Sequence, residues 1–138
     1  ERKPDVMLLA NVTQYLQEPQ AFIKKIIDYG FEYILFESTA FIEGKEDRIT
    51  VQNVPEVIYK ASYPAWFLNE KKFLALLSET YQLQWDFYST VNPPELLERK
   101  KVFWKGFLFK KNLFVTIIIL YLLQHRQIGF CGRELIWW

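Results

Sequence analysis

Two short apolar runs, with an amphipathic stretch between them, restrict this chain more than anything else in it. The run from Val6 to Ala10 follows a proline and an acid and has the length of a buried strand. From Pro19 to Tyr29 the apolar residues Phe22, Ile23, Ile26 and Ile27 recur at helical spacing, with Lys24, Lys25 and Asp28 on the other side. Gly30 is placed to end that helix as the residue just past its last turn. The run from Tyr33 to Phe36, bounded by Glu32 and Glu37, is again too short for a helix. Strand, helix, strand within residues 5–39 is a βαβ unit, and strands that are apolar throughout belong inside a parallel sheet covered on both faces.

The chain has 138 residues, 51% apolar and 18% aromatic, which fits one domain with a real core and excludes disorder. Its net charge of +1 supplies no global field for nucleic acid or an anionic membrane. One cysteine, Cys131, excludes an internal disulfide and a cysteine zinc site, and one histidine, His125, excludes a histidine metal centre. No metal is expected. The opening Glu-Arg-Lys-Pro-Asp is no basic-then-apolar leader and reads as the middle of a protein, so a cytoplasmic location is the expectation.

Farther along, residues 39–55 lack a helical period and lead through a charged loop into a short strand from Ile49 to Val54. The stretch from Val57 to Leu68 reads as an aromatic loop, because Pro64 keeps Tyr63 extended. Asn69 is suited to cap a helix over residues 70–80, whose apolar face is Phe73, Leu74, Leu76 and Leu77. Gln82 to Ser89 and Val102 to Lys110 alternate as strands. On the second, Phe103, Lys105, Phe107 and Phe109 take one side and Trp104, Gly106 and Leu108 the other. With the Pro93-Pro94 loop between them, they are expected to pair antiparallel at one edge of the sheet. Residues 112–138 stand apart as an apolar tail, either foreign to the domain or packed on it. The run from Leu113 to Leu123 is well short of the roughly 20 residues that span a bilayer.

The order strand, helix, strand, loop, helix, antiparallel pair resembles the C-terminal half of a Rossmann-like class I methyltransferase. Asp5 to Pro19 resembles the fourth strand and following turn of those enzymes. Asp47-Arg48-Ile49-Thr50-Val51-Gln52, Tyr59-Lys60-Ala61-Ser62-Tyr63-Pro64-Ala65-Trp66 and Lys105-Gly106-Phe107-Leu108-Phe109 resemble a bacterial methyltransferase family associated with surface-polysaccharide gene clusters. The resemblance covers residues 3–111. It implies S-adenosylmethionine as cofactor, a small-molecule acceptor of the carbohydrate kind, and catalysis by alignment more than by acid–base machinery. It departs from the family in two places. Glu37-Ser38-Thr39-Ala40-Phe41 lacks the arginine expected after the second strand. None of the five glycines forms Gly-x-Gly, so the cofactor loop would belong to a missing N-terminal half and this chain alone would be inactive.

In such sheets ligands sit beyond the carboxyl ends of the strands. Asn11 and Tyr15 after the first strand are the cofactor-side candidates, against the plainer roles of turn former and helix-entry contact. Glu37 is the candidate general base, against a solvated strand-end acid. Thr39, Asp47, Arg48, Tyr63 and Trp66 are the acceptor-side candidates, with a surface ion pair and core packing as the alternatives. Tyr59 joins that aromatic group. His125 and Cys131 are read as bystanders, and the lysine pairs as solvated faces and not a nucleic-acid surface. Two other functions stay open: a non-catalytic binding module, and a peripheral membrane protein anchored by residues 113–123.

Overall fold

The computed structural model describes residues 5–54, 56–58, 60–89 and 101–112. Tyr59, His125, Cys131, the Pro93-Pro94 loop and residues 113–138 lie outside them. The fold is α/β, a mixed six-stranded sheet with two α-helices. The elements are β1 (Val6–Ala10), α1 (Pro19–Tyr29), β2 (Tyr33–Ile42), β3 (Arg48–Asn53), β4 (Ser62–Asn69), α2 (Glu70–Ser78), β5 (Tyr81–Tyr88) and β6 (Val102–Lys111). A single 3-10 turn, Thr13–Tyr15, follows β1.

β1 and β2 pair in parallel from Val6↔Tyr33 to Ala10↔Glu37, with α1 as the crossover, so the βαβ unit forms as its apolar spacing predicts. Gly30 ends α1 in the left-handed conformation, at φ 72°. β5 and β6 are antiparallel, and β6 is antiparallel to β2, which leaves β5 at an edge. On the other side of β2, its first half pairs with β1 and its last two residues with β4. β1 and β4 therefore fork apart along one edge of the same strand.

β2 runs six residues beyond the expected strand because a bulge absorbs its polar middle. Phe36 faces Phe107 and Thr39 faces Lys105, three steps of β2 against two of β6. Ser38, at φ 49°, takes up the extra residue. The bulge reverses which side of the strand meets the helices, from Ile34 and Phe36 to Thr39 and Phe41. Phe73 of α2 touches both Phe36, at 4.9 Å, and Phe41, at 5.2 Å. Phe107 and Phe109 complete this cluster, and Ile23 and Ile26 of α1 join the same core. Each buried ring contributes on the order of 2–3 kcal/mol by removal from water.

Two expectations are corrected. Residues 62–69 form β4 and not a loop: Pro64 sits opposite Val51 of β3, where β4 has splayed from β2 and needs no second ladder donor. Nor are both faces of the parallel strands covered among the described residues. Both helices lie on one face, while Val6 (54% exposed), Leu8 (58%) and Trp85 (63%) stand on the other. No helix among the described residues is long and apolar enough to cross a membrane.

α2 begins where Asn69 accepts a hydrogen bond from the Lys72 amide at 3.0 Å, as its position predicts. On the helix-covered face Lys105 is 8% exposed and meets Glu70 at 2.7 Å and Asp86 at 2.5 Å. Burial lowers its pKa, but hydrogen bonds to Asp86 and Glu70 outweigh this and hold the ammonium above the ordinary lysine value. A raised folded pKa gives stability that is complete below the unfolded value and lost as pH climbs through the folded one. Urea unfolding should therefore show a decline in stability above about pH 10.4 that is shallower in Lys105→Met.

Gly106 faces Phe87, and a Cβ built there overlaps the ring. Gly106→Ala is expected to destabilise by about 1–3 kcal/mol in chemical unfolding, and most of that cost should vanish in a Phe87→Ala background.

Candidate functional site

A cleft of about 700 Å³ opens beside the carboxyl end of β1 and over the second half of β2, on the face opposite the helices. That is within the range of small-molecule sites. The bulge makes its floor, since the reversed pleat turns Ala40 and Ile42 of β2 toward it. Val102 and Trp104 of β6 extend the floor. Ala65, Trp66 and Phe67 of β4 form one wall, and Arg48 and residues 50–52 of β3 rise beside them. The splaying of β4 from β2 gives the cleft its width.

The last wall is the turn after β1. Asn11, at φ 52°, reverses the chain, and its amide donates to the Glu37 carbonyl at 2.8 Å. The 3-10 turn then packs Gln14, 2% exposed, against β2 and β4. Gln14 Nε2 donates to Asn11 Oδ1 at 2.5 Å and to the Ser38 carbonyl at 3.2 Å. These two bonds fix the amide's orientation. Gln14 lines the cleft, and its Oε1 is buried with no hydrogen-bond partner among the described residues. Tyr15 OH donates to Gln52 Oε1 at 3.1 Å, tying the turn to β3.

Electrostatically the lining is one-sided. Among the described residues its charged members are Arg48 and Lys101, both exposed at the rim, and no acid lines it. Neither cation makes an ion pair among the described residues. Lys101 adopts φ 52°, a conformation rare for a side-chain-bearing residue, and its carbonyl accepts from the Glu43 amide at 2.8 Å.

Of the residues singled out from the sequence, Tyr15, Arg48 and Trp66 line the cleft, and Trp66 also packs against the core, as its alternative reading expected. Tyr63 stands one step behind, its ring edge-on to Tyr15 at 5.4 Å. Asn11 acts through Gln14. Glu37 and Thr39 do not line the cleft. The Glu37 carboxylate accepts from Ser38 Oγ and, at 3.5 Å, from Ser89 Oγ. Thr39 is fully buried on the helix-facing side opposite Lys105, and its Oγ1 has no partner. Asp47 turns away from Arg48. Its carboxylate accepts from the Asn69 amide at 2.6 Å and from Gln20 Nε2, which anchors the loop to the start of α2.

Sequence reasoning missed Gln14, Lys101 and Trp104. Trp104 was legible as the outward partner of the Phe103–Phe109 alternation. Gln14 carried no signal, because its importance comes from a turn whose burial depends on β4. Comparison with protein-family models, with curated proteins and with solved structures returns no match.

Asp47 and Arg48 are adjacent in sequence but divided in role. Asp47→Ala should lower stability by about 1–2 kcal/mol in thermal or urea unfolding and leave ligand affinity at the cleft unchanged.

Proposed function

We propose that this chain is the acceptor-binding part of an S-adenosylmethionine-dependent methyltransferase of Rossmann-like architecture. The observation that carries the reading is the parallel β1–α1–β2 unit whose carboxyl ends adjoin a cleft walled by Tyr15, Arg48 and Trp66. The neighbouring order β1-β2-β6-β5, with β6 reversed, is the parallel unit followed by an antiparallel pair that the family resemblance implies.

The residues present do not fit the cofactor. No acid among the described residues lines the cleft to hold ribose hydroxyls, the sequence has no Gly-x-Gly turn, and the Asn11 side-chain oxygen is occupied by Gln14. The cofactor's site would have to come from polypeptide other than these residues. Within this chain, Tyr15, Trp66 and Arg48 bind and orient the acceptor and Gln14 fixes one of its polar groups. That misfit equally favours a second reading, a non-catalytic binding module using the same cleft. The membrane-anchor alternative rests on residues outside those described.

Radiolabelled methyl transfer separates the two. The protein is prepared as a longer polypeptide in which these residues follow a strand and a Gly-x-Gly turn. It is expected to label a small-molecule acceptor, with Arg48→Ala lowering kcat/KM by roughly tenfold or more. Cleft binding without label transfer would establish the module instead.

A further inference from the structure

We infer that the cleft takes a flat aromatic anion that carries a hydrogen-bond donor, such as a bicyclic heteroaryl carboxylate or phosphate. This deepens the acceptor reading above and rests on it only in calling the ligand an acceptor. Three features of the cleft point to that class. They act on different parts of the ligand.

The first is the wall. Tyr15, Phe67 and Trp104 give the cleft three large aromatic side chains, with Phe67 edge-on to Trp104 at 5.6 Å, and Ala40, Ile42 and Ala65 beneath them are small or aliphatic. Aromatic rings favour a ligand that is itself flat and polarisable.

The second is the rim. Arg48 and Lys101 supply positive charge with no carboxylate among the described lining residues to balance it, and the acid nearest Arg48 in sequence, Asp47, is engaged with Asn69 and Gln20. Like charges at the mouth of a low-dielectric cleft concentrate their field there and favour an anion. The guanidinium adds a two-pronged donor matched to a carboxylate or phosphate. The chain's overall charge of +1 conceals this local excess.

The third is Gln14. Both of its nitrogen-borne contacts are made, so its amide cannot rotate to hide the oxygen without breaking them. An acceptor buried and unpaired at the lining calls for a donor. The complementary group is a ring N–H, an aryl amine or a phenolic hydroxyl. The three features together specify ring, charge and donor in one molecule.

Isothermal titration of the intact chain with matched probes tests each part. An indole carboxylate and an indolyl phosphate carry all three features, and the tighter of the two identifies the anion. Indole carboxamide lacks the charge, the benzofuran carboxylate lacks the donor, and cyclohexane carboxylate lacks the ring. Either full probe should bind at least about tenfold more tightly than each defective one. Arg48→Ala, at an exposed position, should weaken the anionic probes by about tenfold and leave the carboxamide unchanged. Equal affinity for acid and carboxamide would overturn the proposal. So would binding of glucose in preference to every indole probe, or no binding by any probe. An aryl anion that binds without accepting label in the longer polypeptide would defeat the methyltransferase reading alone. Methyl transfer to a neutral acceptor would defeat this one alone.

Discussion

Everything in this molecule depends on β2 being a single strand that changes sides halfway along. Its first half needs Ile34 and Phe36 turned to the helices, and its second half needs Phe41 turned the same way. A strict two-residue alternation cannot satisfy both across Glu37-Ser38-Thr39. One extra residue at the bulge does, at the cost of a serine in the left-handed region. The same step places Ala40 and Ile42 on the opposite face, where they become the floor of the cleft. Core and cleft therefore share one device.

That device explains which parts of the fold were legible in the sequence. β1, α1 and the β5–β6 pair could be read from spacing because each lies in one regular stretch with its own local pattern. β2 was read only to Phe36, since Glu-Ser-Thr looks like a strand end unless the Phe41 side is known to return to the core. β4 was misread because its aromatic residues alternate poorly. Ala65 and Leu68 are buried, and Trp66 and Phe67 sit partly exposed around the cleft, so no one face is apolar. Its identity as a strand comes from pairing with β3, a contact between segments that local propensity does not report.

The candidate site divides along the same line. Tyr15, Arg48 and Trp66 were found because large aromatics and a guanidinium stand out among their neighbours. Asp47 was paired with Arg48 on adjacency alone, yet adjacent residues on an extended segment point to opposite sides. The consequence is electrostatic. With its nearest acid facing α2, Arg48 contributes an uncompensated charge to the cleft, and Lys101 reaches the same rim from the start of β6. A near-neutral total charge therefore says little about a site assembled from two distant loops.

The buried polar atoms show where folding requirements and local preference part. Thr13 Oγ1, Gln14 Oε1 and Thr39 Oγ1 lack partners among the described residues, and all three flank the fork between β1, β2 and β4. Each such atom costs about 1–3 kcal/mol. Together they are comparable with a large share of a domain's net stability of about 5–15 kcal/mol. Asn11 and Ser38, both at positive φ, lie in the same few ångströms of backbone, where the Asn11 amide meets the Glu37 carbonyl. Two of the three unpaired atoms and the Asn11 backbone thus lie just beyond the carboxyl end of β1, while Thr39 carries the third to the face of the phenylalanine cluster. A fold shaped by packing alone would place apolar residues at Thr13 and Gln14, which are as buried as the core.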